Sequence, residues 1–462
     1  MVLRKFIFGM LKNRESDTSA TSVRLSSGGS TGPQKCRTLL LRKIVGHLFF
    51  NIPIFCFLIL IWGLNLQAGS VMDLPEALQY AKTHSPILSS FRAKTWESKA
   101  KIAQAISPED PEVGINFYDV PASSKNPFDT REYRYSLEQK IPLLGKHYQG
   151  KMARREFWMA GEEARAKELE VLTDVKHAFH ELALLDHQIH INAENQQLLE
   201  SYEKIAMTRY STSEGNFQDT LKASLEISKL EQERWMLEKE QQSAKSRLKR
   251  LLGASQREEI LFETEHVLQS TVVEWGQLLK RAQKNQPSLK ISQYATEKER
   301  AGVSLAKQQF VPDLKLGVEY MQRQNQEDAL SYKVGIGFPL FGLWKQRSGV
   351  QEARARWHAA RSVETEVTNV LEEELTVAWA ELERSRKTVS LYQTAALPQA
   401  KAAVKSAQVG YETGEADFLD LLDLQRTLKN TEEEYWKAVI DVEKAVAHLE
   451  FLVGENIAKE NL

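Results

Sequence analysis

An internal repeat constrains this chain more than any other feature. Leu78, Ala81, Pro86, Leu88, Ala100, Ala105 and Pro111 recur 201 positions later, as Leu279, Ala282, Pro287, Leu289, Ala301, Ala306 and Pro312. The same offset returns far downstream. Tyr210, Thr212, Phe217, Asp219 and Leu221 match Tyr411, Thr413, Phe418, Asp420 and Leu422, and the halves close alike at Gly253 and Gly454. A fixed period over most of a chain means that one structural unit has been copied in tandem. The repeat sets three expected segments: an extension and signal segment over 1–68, a first unit over 69–255, and a second unit with a short tail over 256–462.

Each unit is expected to hold the same elements in the same order. A short helix comes first, over 74–83 or 274–285, and Pro86 or Pro287 ends it, since proline lacks an N–H and clashes with the preceding turn. A second helix, two strands and two long helices follow. The strands alternate with period two. Val113, Ile115 and Phe117 share one face, as do Tyr133, Tyr135, Leu137 and Ile141. Leu314, Leu316, Val318 and Tyr320 do the same, and so do Tyr332, Val334, Ile336 and Phe338. Charged residues fill most of the other face. Two physical readings fit: a soluble sheet with its apolar side on a core, or a membrane barrel with lipid outside and water inside. Four strands cannot close around water, so a barrel needs several chains. In the barrel reading Ile336 faces lipid and Lys333 faces water, where reversal of its charge would be tolerated.

The helices narrow the choice. Over 149–208 and 346–409 only Gly161, Gly349 and Pro398 interrupt the pattern, and apolar residues such as Val171, Val175, Phe179 and Leu182 recur at helical spacing. At ~1.5 Å per residue such helices reach ~90 Å, which implies a coiled-coil assembly. Charge and cysteine usage set further bounds. The net charge of −1 gives no case for nucleic acid, and residues 1–68, with 9 Lys and Arg against 2 Asp and Glu, leave a remainder of net −8. Both cysteines, Cys36 and Cys56, lie in that leading stretch, so the remainder has no disulfide or thiolate chemistry. Arg42 and Lys43 precede an apolar run over 48–64, and small residues follow at Ala68, Gly69 and Ser70. That order predicts a secretory signal cleaved after Ala68, with an uncleaved anchor as the other reading and a true start near Leu39 to Leu41. His177, His180, His187 and His190 share one helical face without the carboxylate–histidine motif of a metal enzyme. No phosphate loop or nucleophile signature is present. No metal, no cofactor and no enzymatic activity are assigned.

At Tyr411-Glu-Thr-Gly414-Glu-Ala-Asp-Phe418-Leu-Asp420-Leu-Leu-Asp423-Leu-Gln-Arg-Thr-Leu the chain resembles the TolC family of outer-membrane efflux proteins. A degenerate copy runs from Tyr210 through Gly215 and Phe217 to Asp219, and the resemblance covers about 72–455. The segments 143–148 and 340–345 resemble the family's heavy-metal efflux branch. The resemblance implies a membrane α+β fold with four transmembrane β-strands per chain, a trimeric β-barrel and an α-helical barrel of long coiled-coil helices. It implies a homotrimer set in outer-membrane lipid of a Gram-negative bacterium and reaching into the periplasm. A periplasmic adaptor (membrane fusion) protein and an inner-membrane efflux pump would dock to a passive export duct. Asp420 and Asp423 would ring the channel gate, and Asp219 would help hold it closed. Thr413, Gly414 and Gly215 would form the adaptor-docking turns. The family's arginine partner for Asp219 aligns with Ala416, so that link is absent. From the residues alone, a secreted coiled-coil scaffold or adhesion protein remains the alternative.

Overall fold

The computed structural model describes residues 70–142, 145–264, 275–324, 326–337, 341 and 344–457. The signal segment, both cysteines and Phe338 lie outside the described residues. Contacts divide the chain into two units, Met1–Ala68 and Gly69–Leu462, and the described residues all belong to the second. Its first half runs β1 (Ser70–Met72), α1 (Leu74–His84), α2 (Pro86–Ile106), β2 (Glu112–Tyr118), β3 (Glu132–Ile141), α3 (Gly145–Ser211) and α4 (Phe217–Leu252). The second runs β4 (Ile260–Phe262), α5 (Trp275–Asn285), α6 (Pro287–Gln308), β5 (Asp313–Arg323), β6 (Ala329–Gly337), α7 (Lys345–Leu391), α8 (Leu397–Thr413) and α9 (Phe418–Val453).

The two halves repeat in detail. Asp73 caps α1 by accepting from the Glu76 N–H at 2.8 Å, and Pro86 and Pro287 sit at the first position of α2 and α6, where no N–H is needed. Both halves end on a left-handed glycine, Gly253 and Gly454, each at φ +79°. A Cβ on Gly253 would stand 2.6 Å from the His84 carbonyl oxygen, and one on Gly454 would stand 2.8 Å from that of Asn285. Those carbonyls are themselves 201 residues apart, so the close approach is the same in both copies. Each half has its own core at this level. Ala77, Ala81, Val175, Leu182, Leu248 and Leu252 form one, and Leu278, Ala282, Leu375, Leu449 and Leu452 the other. β1 pairs with β4 in parallel and ties the two together.

The long helices exceed the expected length. α3 has 67 residues, or ~100 Å. Its counterpart is broken once, by the π-helical turn Tyr392–Ala396 between α7 and α8. Pro398 explains the break, because it cannot donate to the carbonyl one turn back and the backbone widens to avoid its ring.

The sheet decides between the two readings of the strands. It is antiparallel in the order β2-β3-β5-β6. Register aligns Val113, Leu137, Val318 and Tyr332 across the strands, and on the next row Ile115, Tyr135, Tyr320 and Leu330. This apolar face is the exposed one: Val113 is 78% exposed, Tyr332 75% and Val334 71%. The opposite face is mostly polar, and at its centre Glu319 is only 4% exposed. A soluble sheet does the reverse. An outward apolar face over an inward polar one is the wall of a barrel in lipid.

The inward face corrects one expectation. Lys333 is half-exposed, but it is paired rather than free to be reversed. Its Nζ lies 2.8 Å from Glu319 and 3.4 Å from Glu138, and Glu319 also meets Arg134 at 3.9 Å. Arg134 pairs with Glu132 and stacks over the Tyr118 ring at 3.7 Å, and Arg323 reaches Glu132 at 3.3 Å. The charges form a continuous network across β3, β5 and β6, and the Tyr118 ring joins β2 to it. β2 is the shortest of the four strands, at 7 residues.

Candidate functional site

Two interhelix turns lie at the far end of the long helices, joining α3 to α4 and α8 to α9. Their backbones are copies. The Glu214 and Gly215 N–H groups donate to the Arg209 carbonyl at 2.8 and 3.1 Å, and those of Glu415 and Ala416 donate to Gly410 at 2.7 and 3.0 Å. This is the six-to-one bond that closes a helix at a left-handed residue. Gly414 supplies that residue in the second turn at φ +83°. In the first turn it is Ser213 at φ 66°, while Gly215 does not have positive φ.

Gly215 serves a different need. A Cβ there would come within 3.0 Å of the Arg209 Cβ. In the second turn the crowded pair is the same but the glycine has changed sides: a Cβ on Gly410 would meet the Ala416 Cβ at 3.0 Å. In each pair one member is glycine, which relieves that crowding. By placing it at 215, the first turn frees position 209 for a long side chain. Arg209 uses that freedom to reach across to the second turn. Its guanidinium donates to the Tyr411 carbonyl and, at 3.2 Å, to that of Glu214, and it lies 5.0 Å from the Tyr411 ring centre. An arginine therefore joins the tip from the opposite turn to the one where alignment with the family places it. The sequence signal was the exchange of Arg209 and Gly215 for Gly410 and Ala416 at the repeat offset.

Beneath the turns the four helices share a core of Tyr202, Ala223, Tyr411, Phe418 and Leu421. Asp219 lies at its edge, half-buried, beside Tyr411, Arg209 and Asp417. Burial holds its carboxyl above the ordinary aspartate value and Asp417 adds to this, against the pull of Lys222 and Arg209. Burial likewise raises the Tyr411 phenol. Asp420 and Asp423 are exposed, one turn apart on α9, with no ion-pair partner among the described residues. Asp219 faces the second turn rather than this pair. Thr413 is exposed, but its hydroxyl donates to its own helix, at Val409 and Gly410.

Above the tip, sequence reasoning missed a polar belt that joins the two hairpins. Arg426 makes a two-pronged pair with Glu226, Gln425 donates to Asn195 at 2.7 Å, and Lys429 reaches Glu233 at 2.7 Å and Glu433 at 2.9 Å. Burial alone would lower the Lys429 ammonium, but the two carboxylates outweigh it and hold it above the ordinary lysine value. Among the histidines, His187 stacks flat on Trp436 at 3.6 Å and burial lowers both it and His177. No group of three or more potential ligands among the described residues could hold a metal ion.

Residues 278–455 match the family described as Outer membrane efflux protein. The second half of the chain resembles that family over this stretch. That likeness favours an outer-membrane protein over the secreted scaffold. Solved channels share its fold. CusC superposes with a TM-score of 0.73 at 16% identity, covering 85% of this chain and 95% of that one. VceC of Vibrio cholerae gives 0.71 at 19% identity, covering 83% and 96%. In sequence the chain is 24% identical over 180 residues to the cobalt-zinc-cadmium resistance protein CzcC of Cupriavidus metallidurans. That match spans 38% of this chain and 42% of the relative's length.

Proposed function

We propose that this chain is an outer-membrane efflux protein and that three copies of it close one β-barrel in the membrane and continue as a helical tunnel into the periplasm, forming a passive exit duct. The sheet carries this reading. Its apolar face points outward, its charged face inward, and its outer strands β2 and β6 have open edges. Unpaired strand edges cannot stand in lipid, and four strands cannot surround water. Twelve strands from three chains satisfy both constraints. Residues 1–68 would be the extension and signal, with the structural repeats spanning 69–255 and 256–462.

In this reading Asp420 and Asp423 from each chain ring the narrow end of the tunnel. Six carboxylates there attract cations and admit block by multivalent ions. Arg209 and Tyr411 hold the two turns of each chain together behind that ring, with the half-buried Asp219 beside them. Thr413, Gly414 and Gly215 present the turns to a periplasmic adaptor, which couples the duct to an inner-membrane pump. The likeness to CzcC supports the heavy-metal branch and divalent transition-metal cations as cargo. The test is fractionation and mass. The protein should be recovered with the outer membrane and migrate as three chains until harsh denaturation. Recovery as a soluble monomer would sink the proposal.

A further inference from the structure

At the opposite end of α3, just beyond the sheet, lies a groove of ≈ 400 Å³ between α3 and α6. Lys151, Arg154 and Arg155 enter it from α3, flanked by Trp158, and Arg300 and Glu297 enter it from α6. Glu297 is committed to Arg155, at 2.9 Å. Lys151, Arg154 and Arg300 have no ion-pair partner among the described residues. The aromatic rings hold the cations in place. Arg155 lies 4.1 Å over the Trp158 ring and Lys151 lies 5.5 Å from Tyr148, while Tyr294 of α6 packs against Trp158.

Position gives this groove its meaning. α3 starts four residues after the end of β3, so Lys151 to Arg155 stand only ~10–15 Å along the helix from the strands that span lipid. Helical side chains lean toward the N-terminus, here toward the membrane, and long basic ones extend further. The side of the wall can also be assigned. Lys151, Trp158, Phe179 and Asp186 recur at multiples of seven, which is one stripe on a helix supercoiled as the coiled-coil assembly requires. Lower on that stripe Phe179 meets Phe262 edge to face, and Asp186 accepts from Thr264 at 2.6 Å. The stripe therefore carries the short β1–β4 layer. On the duct reading, on which this step rests, such a layer lies outside the tunnel wall, because inside it would obstruct the lumen.

We propose that this groove holds the phosphodiester headgroup of an anionic phospholipid from the periplasmic leaflet. Three uncompensated cations supply the charge, guanidinium groups match phosphate oxygens, and Trp158 and Tyr148 sit at the depth where amphipathic rings favour the interface. The lipid would anchor the junction between barrel and tunnel.

The test uses the full chain, purified in neutral detergent, stripped of lipid and offered equimolar phosphatidylglycerol and phosphatidylcholine. Native mass spectrometry then counts the lipids retained. The parent should keep phosphatidylglycerol at least about tenfold over phosphatidylcholine, and Lys151→Ala with Arg154→Ala and Arg300→Ala should abolish the preference. Arg154→Lys with Arg300→Lys should keep it, which separates charge from folding. Equal retention of both lipids by the parent, or an undiminished preference in the triple variant, overturns the proposal. Displacement by excess inorganic phosphate would show a bare anion site, and displacement by soluble peptidoglycan fragments a cell-wall site; either also overturns it. Planar-bilayer recording of the parent runs alongside. A conducting protein without lipid preference sinks the headgroup site alone, whereas a lipid-selective protein that never conducts sinks the duct.

Discussion

Ser213 and Gly414 hold the same left-handed backbone at the two tip turns, and only one of them is suited to it. A non-glycine residue there costs about 1–2 kcal/mol. Ser213→Gly should therefore raise thermal stability by about 1 kcal/mol, and Gly414→Ala should lower it by at least as much, since the new Cβ also meets Arg209 Nη2 at 3.2 Å. Opposite shifts in melting temperature check the pair. Asp219 gives a pH signature. Its carboxyl is raised in the folded state, so the folded protein holds that proton more tightly than the unfolded chain does. Stability from this group is then full below the ordinary aspartate value and falls as pH rises through the raised one. Asp219→Asn should stabilise the tip at neutral pH, with the gain vanishing in acid; a gain independent of pH would contradict this. For the gate, replacing Asp420 and Asp423 together by Ala should weaken cation selectivity and multivalent-ion block in single-channel recordings without disturbing assembly, because both side chains are exposed. Unchanged block would mean that the constriction lies elsewhere. The sequence exposed the two acidic positions and the glycines, because they fall in a repeated motif. It concealed the contact of Arg209 with Tyr411, which joins residues 202 apart through a space that opens only when Gly215 is seen beside it.

Strands and helices were legible at their own scale for a related reason. Period-two alternation names the faces of a strand, and it alone puts Val113, Ile115 and Phe117 on one side. It could not say which side meets protein and which meets lipid, since both readings share one pattern. Register and exposure settled that, and they also showed the charge network, which no single strand carries. Ile336→Arg should cost ~2–4 kcal/mol if it lies near the midplane. Lys333→Glu should also destabilise, because it sets a third carboxylate beside Glu138 and Glu319 on a face where Glu319 is buried. Lys333→Met should be milder, as it removes the pair without adding repulsion. Urea-dependent folding into detergent micelles ranks the three. Equal tolerance of Lys333→Glu and Lys333→Met would show that the network contributes nothing to folding.

At the scale of the whole molecule, duplication and assembly are one argument. A unit of two strands and long helices cannot bury its own edges, and the duplicated unit still leaves β2 and β6 open. The central claim is that these edges meet between chains and close after three. Beyond residue 56 the chain has no cysteine, so a reporter pair is clean once Cys36 and Cys56 are changed to Ser. Ile115→Cys on β2 can be combined in turn with Tyr332→Cys, Val334→Cys or Ile336→Cys on β6, all on the outward face. Oxidation in the outer membrane followed by denaturing electrophoresis reads the result. The account predicts that one of these registers gives a covalent ladder that ends at three chains. A product confined to one chain, or a ladder continuing past three, would contradict it.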